Sequence, residues 1–239
     1  MPTTWYESTV EKIEDQSPTT KRFWLKVAEL EAIAFKPGQF VTMDLPIHEK
    51  RLKRWRSYSI ANPPDGTNLL EFSIVHLEGG LASNYLFNEV KEGTSIRFKG
   101  PTGIFTLPEE IHKDLVFICT GTGVAPFRSM ILNLKERSDF NQNIHLIFGT
   151  RTQENILYRE EFEALAKEWN QFSYTVALSR DDAWEGPKGY VHQVYEAAYT
   201  DKKDVAFYLC GWSNMVDEAR ERLANMGFSD KEVFYELYG

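Results

Sequence analysis

The chain reads as two domains of different class, an N-terminal six-stranded antiparallel Greek-key barrel (residues 1–107) and a doubly wound parallel α/β sheet (residues 113–239). Three observations predict this. Up to about Thr106 the sequence offers short runs of strand character divided by Pro, Gly, Asn and Asp. From about Lys113 continuous apolar runs alternate with helical periods. A glycine loop, Thr120-Gly121-Thr122-Gly123, falls between the first such run and the helix after it.

In the first part, strands are expected at Trp5–Val10, Phe23–Val27, Phe40–Leu45, Arg56–Ala61, Leu69–His76 and Ser95–Lys99. Phe23, Leu25 and Val27 alternate with Arg22, Trp24 and Lys26, the period of a half-buried strand. About six such runs, with one short helix near Ser83–Glu89, suit a small barrel. In the second part, Leu115–Cys119 is wholly apolar, as a strand covered on both faces requires. Phe127, Met130, Ile131 and Leu134 then fall at i, i+3, i+4 and i+7. Further strands are expected at Ile144–Phe148, Phe172–Leu178, Val205–Cys210 and Val233–Glu236. Helices are expected at Arg159–Trp169, Tyr190–Tyr199 and Ser213–Met226, the last closed by Gly227. Strand–helix alternation of this kind makes a parallel sheet.

Composition excludes several classes. A net charge of −8 argues against nucleic-acid binding, which needs clustered cations. No apolar run reaches the roughly 18 residues that span a bilayer. The opening MPTTWYESTV lacks the basic and apolar regions of a leader. Cys119 and Cys210, in unlike contexts, read as reduced thiols, and the expected location is cytoplasmic. Two cysteines fall short of the four ligands of an iron–sulfur cluster, and no metal site is expected.

The glycine loop carries the clearest chemistry. Glycines let the backbone approach a phosphate, and the positive end of the next helix favours its charge. A plain strand–helix turn is the alternative, and the loop's place in a βα unit favours the nucleotide. Arg56-Ser57-Tyr58-Ser59 alone would be an ordinary strand with a polar edge. Gly79-Gly80-Leu81-Ala82-Ser83-Asn84 is either a second phosphate site at a helix N-terminus or an ordinary capped turn.

Taken in order, Arg-x-Tyr-Ser, Gly-Gly-x-x-Ser-Asn, Gly-Pro-x-Gly-x-Phe (Gly100–Phe105), Gly-Thr-Gly-x-Ala-Pro, Cys-Gly and Glu-x-Tyr resemble the ferredoxin–NADP reductase superfamily over nearly the whole chain. Leu157–Phe162 also resembles a stretch of its plant-type members. The resemblance implies FAD and a nicotinamide nucleotide, with hydride moving from nicotinamide C4 to flavin N5. Arg56 would meet the flavin pyrophosphate, Ser57 would accompany it, Tyr58 would stack on the isoalloxazine and Ser59 would lie near N5. Gly80, Leu81, Ala82 and Ser83 would hold the FAD pyrophosphate. Thr120, Gly121, Thr122, Gly123, Cys210 and Gly211 would hold the nicotinamide nucleotide. Glu236 and Tyr238 would complete the catalytic set with Ser59 and Cys210, and Tyr238 would cover the flavin until nicotinamide displaces it; a frayed strand end is the alternative. Many bacterial relatives have Pro after Cys-Gly, where this chain has Trp212.

For the nucleotide, Ser179-Arg180 and Lys188-x-Tyr190 resemble the residues that grip a 2′-phosphate in plant-type members, with Arg151 a further candidate. The lean is to NADP, with NAD possible. For the acceptor, Lys50, Arg51, Lys53, Arg54 and Arg56 form a basic run in an acidic protein, able to steer an acidic ferredoxin or flavodoxin; a solvated loop is the alternative. The expected function is a reductase of ferredoxin, flavodoxin or an oxygenase component. A reductase of free flavin or small acceptors, and a non-catalytic binding subunit, stand as alternatives.

Overall fold

The computed structural model describes residues 4–201 and 204–238. Met1–Thr3, from the segment weighed as a leader, and Gly239 lie outside the described residues. By internal contacts the chain forms two compact units. One takes the residues up to Leu107 together with Ala125–Glu136; the other takes Pro108–Val124 and the residues from Arg137 on.

The first unit contains β1 (Trp5–Ser17), β2 (Thr20–Lys26), β3 (Phe40–Asp44), α1 (Arg51–Arg54), β4 (Trp55–Ser59), β5 (Leu69–Val75), α2 (Leu81–Asn88) and β6 (Ser95–Thr102). Its six-stranded sheet has the order β4-β3-β6-β1-β2-β5 and all its pairs are antiparallel. Past the end of β4, the Ala61 N–H donates to the Glu71 carbonyl on β5 at 2.8 Å, which joins the two outer strands and closes the barrel. The period read in β2 holds: Phe23 and Leu25 are fully buried, with Val41, Met43, Leu70, Phe72 and Phe98 around them.

Strand β1 runs seven residues past the expected Val10. Its second half, EKIEDQS, pairs with β2 as far as Ser17↔Thr20. Charge rather than apolar alternation decorates this stretch: Lys12 pairs with Glu14, and Arg22 and Lys26 reach Glu14 and Glu11 at 3.5 and 3.6 Å.

The second unit contains β7 (Asp114–Thr120). It is followed by α3 (Val124–Lys135), most of which groups with the first unit. Then come β8 (Ile144–Thr150), α4 (Arg159–Glu168), β9 (Phe172–Leu178), α5 (Val191–Ala198), β10 (Val205–Trp212), α6 (Ser213–Asn225) and β11 (Val233–Tyr238). The sheet is parallel throughout, in the order β11-β10-β7-β8-β9. Ile118, Ile147, Phe207 and Leu209 pack on one face beneath Val191 and Tyr195 of α5 and Val216, Ala219 and Leu223 of α6. On the other face Phe162 of α4 meets Phe172 and Tyr174 of β9. The strand order reverses between β7 and β10, the place where open α/β sheets bind ligands. Among the described residues no helix is long and apolar enough to cross a membrane.

Helix α3 carries a feature with no local sequence signal. Arg128 and Glu71, both buried, pair at 3.0 Å, and the same Arg128 nitrogen donates to the Ala61 carbonyl at 2.9 Å. The neighbouring Ser129 hydroxyl donates to the Asn62 carbonyl at 2.6 Å. Helix α3 is thereby fixed to the segment that follows β4.

Candidate functional site

In the barrel, Arg56 and Tyr58 stand two residues apart on β4 and so share a face. Arg56 Nη1 donates to the carbonyls of Lys53 and Trp55 at 3.0 and 2.8 Å, which orients the planar fork on its own turn. Tyr58 packs against the barrel core, and burial pushes its hydroxyl up to about 12, so it stays protonated. Ser59 is buried, whereas Ser57 is exposed and lies 3.2 Å from the Thr42 hydroxyl.

Helix α2 starts one turn after β5. Its N-cap is Gly80 with no side-chain cap, and its first backward bond is Asn84 N–H to Gly80 carbonyl at 2.9 Å. The N–H groups of Leu81, Ala82 and Ser83 therefore precede the intrahelical ladder. The Ser83 hydroxyl has a different occupation. It accepts from Leu77 N–H at 3.0 Å and lies 3.0 and 3.2 Å from the carbonyls of Leu77 and Gly80. Of the two sequence alternatives for this segment, the Ser83 contacts show the turn tied by its hydroxyl.

In the second unit the glycine loop forms a single 3-10 turn, Gly121–Gly123, leading directly into α3. Gly121 has φ 53° and a Cβ there would meet nothing within 4 Å, so the loop's outer side is open to a ligand. Gly123 is the reverse, because a Cβ would collide with the Cys210 carbonyl. Gly211, at φ 137°, lies against Thr120, and the Trp212 N–H donates to Thr120 Oγ1 at 3.4 Å. Close backbone approach from both glycines draws the ends of β7 and β10 together.

Cys210 stands opposite Cys119 in the parallel register, and both are free and fully buried. Their contexts, unlike in sequence, become one pair in the fold. Burial pushes both thiols well above their ordinary range; the Glu236 carboxylate pushes Cys210 further, and a hydrogen bond with Tyr238 opposes it. Tyr238 is no frayed tip: β11 continues two residues past the expected Glu236, placing Cys210 beside Glu236 and Trp212 beside Tyr238.

The remaining candidates lie at the C-terminal ends of β8 and β9. Ser179 N–H donates to the Thr150 carbonyl at 3.1 Å and Arg180 N–H to the Arg151 carbonyl at 2.9 Å, so the two arginines leave adjacent strands side by side. Both are exposed. Lys188 pairs with Leu178 across an isolated bridge, its ammonium donates to the Asp182 carbonyl at 2.7 Å, and Tyr190 caps α5. Asp181 fastens this loop by accepting from the N–H groups of Gln153 and Ala183, which holds its carboxyl below the usual range.

Along the C-terminal edge of the sheet the order is therefore Arg180, Lys188 and Tyr190, then Arg151, then the glycine loop, then Cys210 and Gly211, then Tyr238. Adjacent strands are about 4.8 Å apart, so β9 to β10 spans roughly 14 Å, suited to an extended dinucleotide. An oxidoreductase FAD-binding domain model matches residues 7–107 and an oxidoreductase NAD-binding domain model matches residues 117–221. Ferredoxin–NADP reductase B of Sorangium cellulosum is 33% identical, with 98% of this chain and 97% of that protein aligned.

The chain belongs to the ferredoxin–NADP reductase family. It is an FAD-dependent NAD(P)H oxidoreductase. The DmpP reductase component of phenol 2-monooxygenase from a Pseudomonas species is 32% identical over 98% of this chain, but the chain spans 65% of that protein's length. Among solved structures, a ferredoxin NADP+ reductase from Neisseria gonorrhoeae with bound FAD and NADP superposes with a TM-score of 0.82 at 25% identity, covering 98% of each chain. The Amycolatopsis cytochrome P450 reductase GcoB gives a TM-score of 0.89 at 25% identity, over 99% of this chain and 70% of that one. In this family fold, Arg128 and Glu71 are residues that sequence reasoning missed, because their partners lie 57 to 67 positions away.

Proposed function

We propose that this chain is an NADPH-using member of the family that delivers electrons to a separate ferredoxin, flavodoxin or oxygenase component. Residues 1–107 serve FAD and residues 113–239 serve the nucleotide. The observation that carries the reading is the spatial order of the motifs along the parallel sheet, which matches the parts of one dinucleotide. At one end Arg151 and Arg180, neither with an acidic partner among the described residues, suit a 2′-phosphate, with Ser179, Lys188 and Tyr190 around them. In the middle Thr120, Gly121, Thr122 and Gly123 suit the pyrophosphate, whose oxygens the open side of Gly121 admits. At the other end Cys210 and Gly211 suit the nicotinamide.

The barrel residues fit FAD on grounds of their own. The uncapped start of α2 offers N–H groups to a pyrophosphate, and Arg56 brings a planar fork to its oxygens. Tyr58, held protonated, serves as an aromatic face, with Ser59 as the polar group beside it. FAD accepts a hydride and can give up its electrons singly, which is the chemistry the group supplies when bound. The protein's part is to orient: Cys210, kept as a neutral thiol, presents no charge to the nicotinamide, and Tyr238 yields its place as the ring docks.

The basic run supports the acceptor assignment. Lys50, Arg51 and Lys53 are exposed, and neither lysine has an acidic partner among the described residues. Arg54 is spent on Asp44 at 2.8 Å. From β6, Lys99 joins them by lying 3.9 Å from the Trp55 ring centre. Such a surface attracts an acidic carrier at low salt. The test is steady-state cytochrome c reduction by the FAD-loaded protein with NADPH or NADH, with and without added ferredoxin or flavodoxin. The reading expects NADPH to be preferred and the carrier to accelerate the reaction in a salt-sensitive way. Equal rates with either nucleotide and indifference to carriers would overturn it.

A further inference from the structure

Strand β10 ends on a residue unlike the rest of it. Val205 to Gly211 are all buried, whereas Trp212 exposes 56% of its surface. Its backbone is held on two sides. Gly211 lets the chain run against Thr120, and the Trp212 N–H rests on Thr120 Oγ1. On the other side Trp212 pairs in register with Tyr238, whose carbonyl accepts from the Ser213 hydroxyl at 3.3 Å. The indole itself has no ring or cation packed on it among the described residues. A fixed backbone carrying an uncommitted flat ring, between the glycine loop and Tyr238, is a stacking platform with little conformational freedom left to lose.

We propose that Trp212 is a nucleotide-binding residue whose indole stacks on the nicotinamide end of the bound dinucleotide. This rests on the assignment of the glycine loop and Cys210-Gly211 to that nucleotide. Stacking on an aromatic face is indifferent to hydrogen-bond pattern but sensitive to charge, and indole offers the strongest cation–π face of the aromatic side chains. The oxidised nicotinamide ring is cationic and the reduced ring is neutral. Trp212 therefore grips the oxidised nucleotide more firmly and sets how readily product leaves. A residue that only shaped the backbone would favour neither form.

The experiment is calorimetric titration of the FAD-loaded protein with NADP+ and with the neutral, non-reacting tetrahydro analogue of NADPH. It compares wild type, Trp212→Ala, Trp212→Phe and Thr122→Glu, each checked for flavin retention and melting temperature. Trp212→Ala is expected to weaken NADP+ about tenfold and the neutral analogue about threefold or less, with Trp212→Phe recovering most of the loss. Thr122→Glu is expected to weaken both forms by placing a carboxylate at the pyrophosphate loop. Unchanged binding in Trp212→Ala, with binding lost in Thr122→Glu, would overturn the role of Trp212 alone. Equal losses for both forms, without recovery by Phe, would also overturn it. If neither position affects binding, the nucleotide site itself is misassigned and the proposal falls with it.

Discussion

Gly123 lies so close to the carbonyl of Cys210 that no side chain fits between them, although 87 residues separate the two in sequence. The contact joins the glycine loop after β7 to the end of β10 and fixes the gap across which the nucleotide is proposed to lie. Gly123→Ala is expected to cost about 1–3 kcal/mol through overpacking against backbone that cannot turn aside, and to weaken nucleotide binding. Gly121→Ala meets open space and should cost only about 1 kcal/mol, from its left-handed backbone. Urea denaturation of the two variants separates them; equal losses would refute the difference in surroundings.

The buried thiols give a second expectation. Cys119 and Cys210 are held well above the ordinary thiol range, so they stay protonated at pH 8 and resist iodoacetamide in the native protein, while alkylating fully in urea. The consequence for stability follows from the proton count. Above about pH 8.5 the unfolded thiols lose protons that the native ones keep, so stability falls as pH rises through the alkaline range. The slope of the urea midpoint between pH 8 and 10 should be shallower in Cys119→Ala than in wild type. Identical slopes would show that this thiol contributes nothing to it.

How much of this was legible in the sequence depended on the range of the interaction. The core of β2 showed itself through alternation at Phe23, Leu25 and Val27, and β7 through an unbroken apolar run, because burial of one or both faces leaves a local period. Helix α3 was equally plain in Phe127, Met130, Ile131 and Leu134, all buried. What α3 does with its polar residues was not legible, since Arg128 and Ser129 bond to Ala61, Asn62 and Glu71 far along the chain. The outer half of β1 hid for a related reason: its cross-strand charge pairs with β2 carry no apolar signal. The pairing of Cys119 with Cys210 needed strand order, which a parallel sheet sets through crossovers rather than through neighbours in sequence.

The Arg128–Glu71 pair should be expensive to break from one side. Both side chains are buried, and Arg22 reaches the same carboxylate at 2.7 Å. Arg128→Met removes one cationic partner of this buried carboxylate and the donor to the Ala61 carbonyl. The expected loss is about 3–5 kcal/mol, read as a lower urea midpoint. Glu71→Gln with Arg128→Met should recover part of it, because a neutral amide costs less to bury than a carboxylate that has lost one of its cations; a double variant as unstable as the single one would contradict that account.

Nucleotide choice gives the last expectation. Arg180 and Arg151 leave adjacent strands joined by a backbone bond of 2.9 Å, which sets two permanent cations at the β8–β9 end of the proposed nucleotide site. Charge-assisted hydrogen bonds to phosphate are worth about 1.5–3 kcal/mol, so Arg180→Ala should raise the KM for NADPH by roughly ten- to a hundredfold. NADH has no 2′-phosphate and should lose no more than about twofold, with kcat held for both, since the contact is far from the hydride. The NADPH penalty should also shrink as salt rises, because these exposed charges are screened within about 10 Å at 0.1 M. A matched loss for NADPH and NADH would mean that Arg180 supports the loop rather than reads the phosphate, and Arg151→Ala alone would then be left to carry the discrimination.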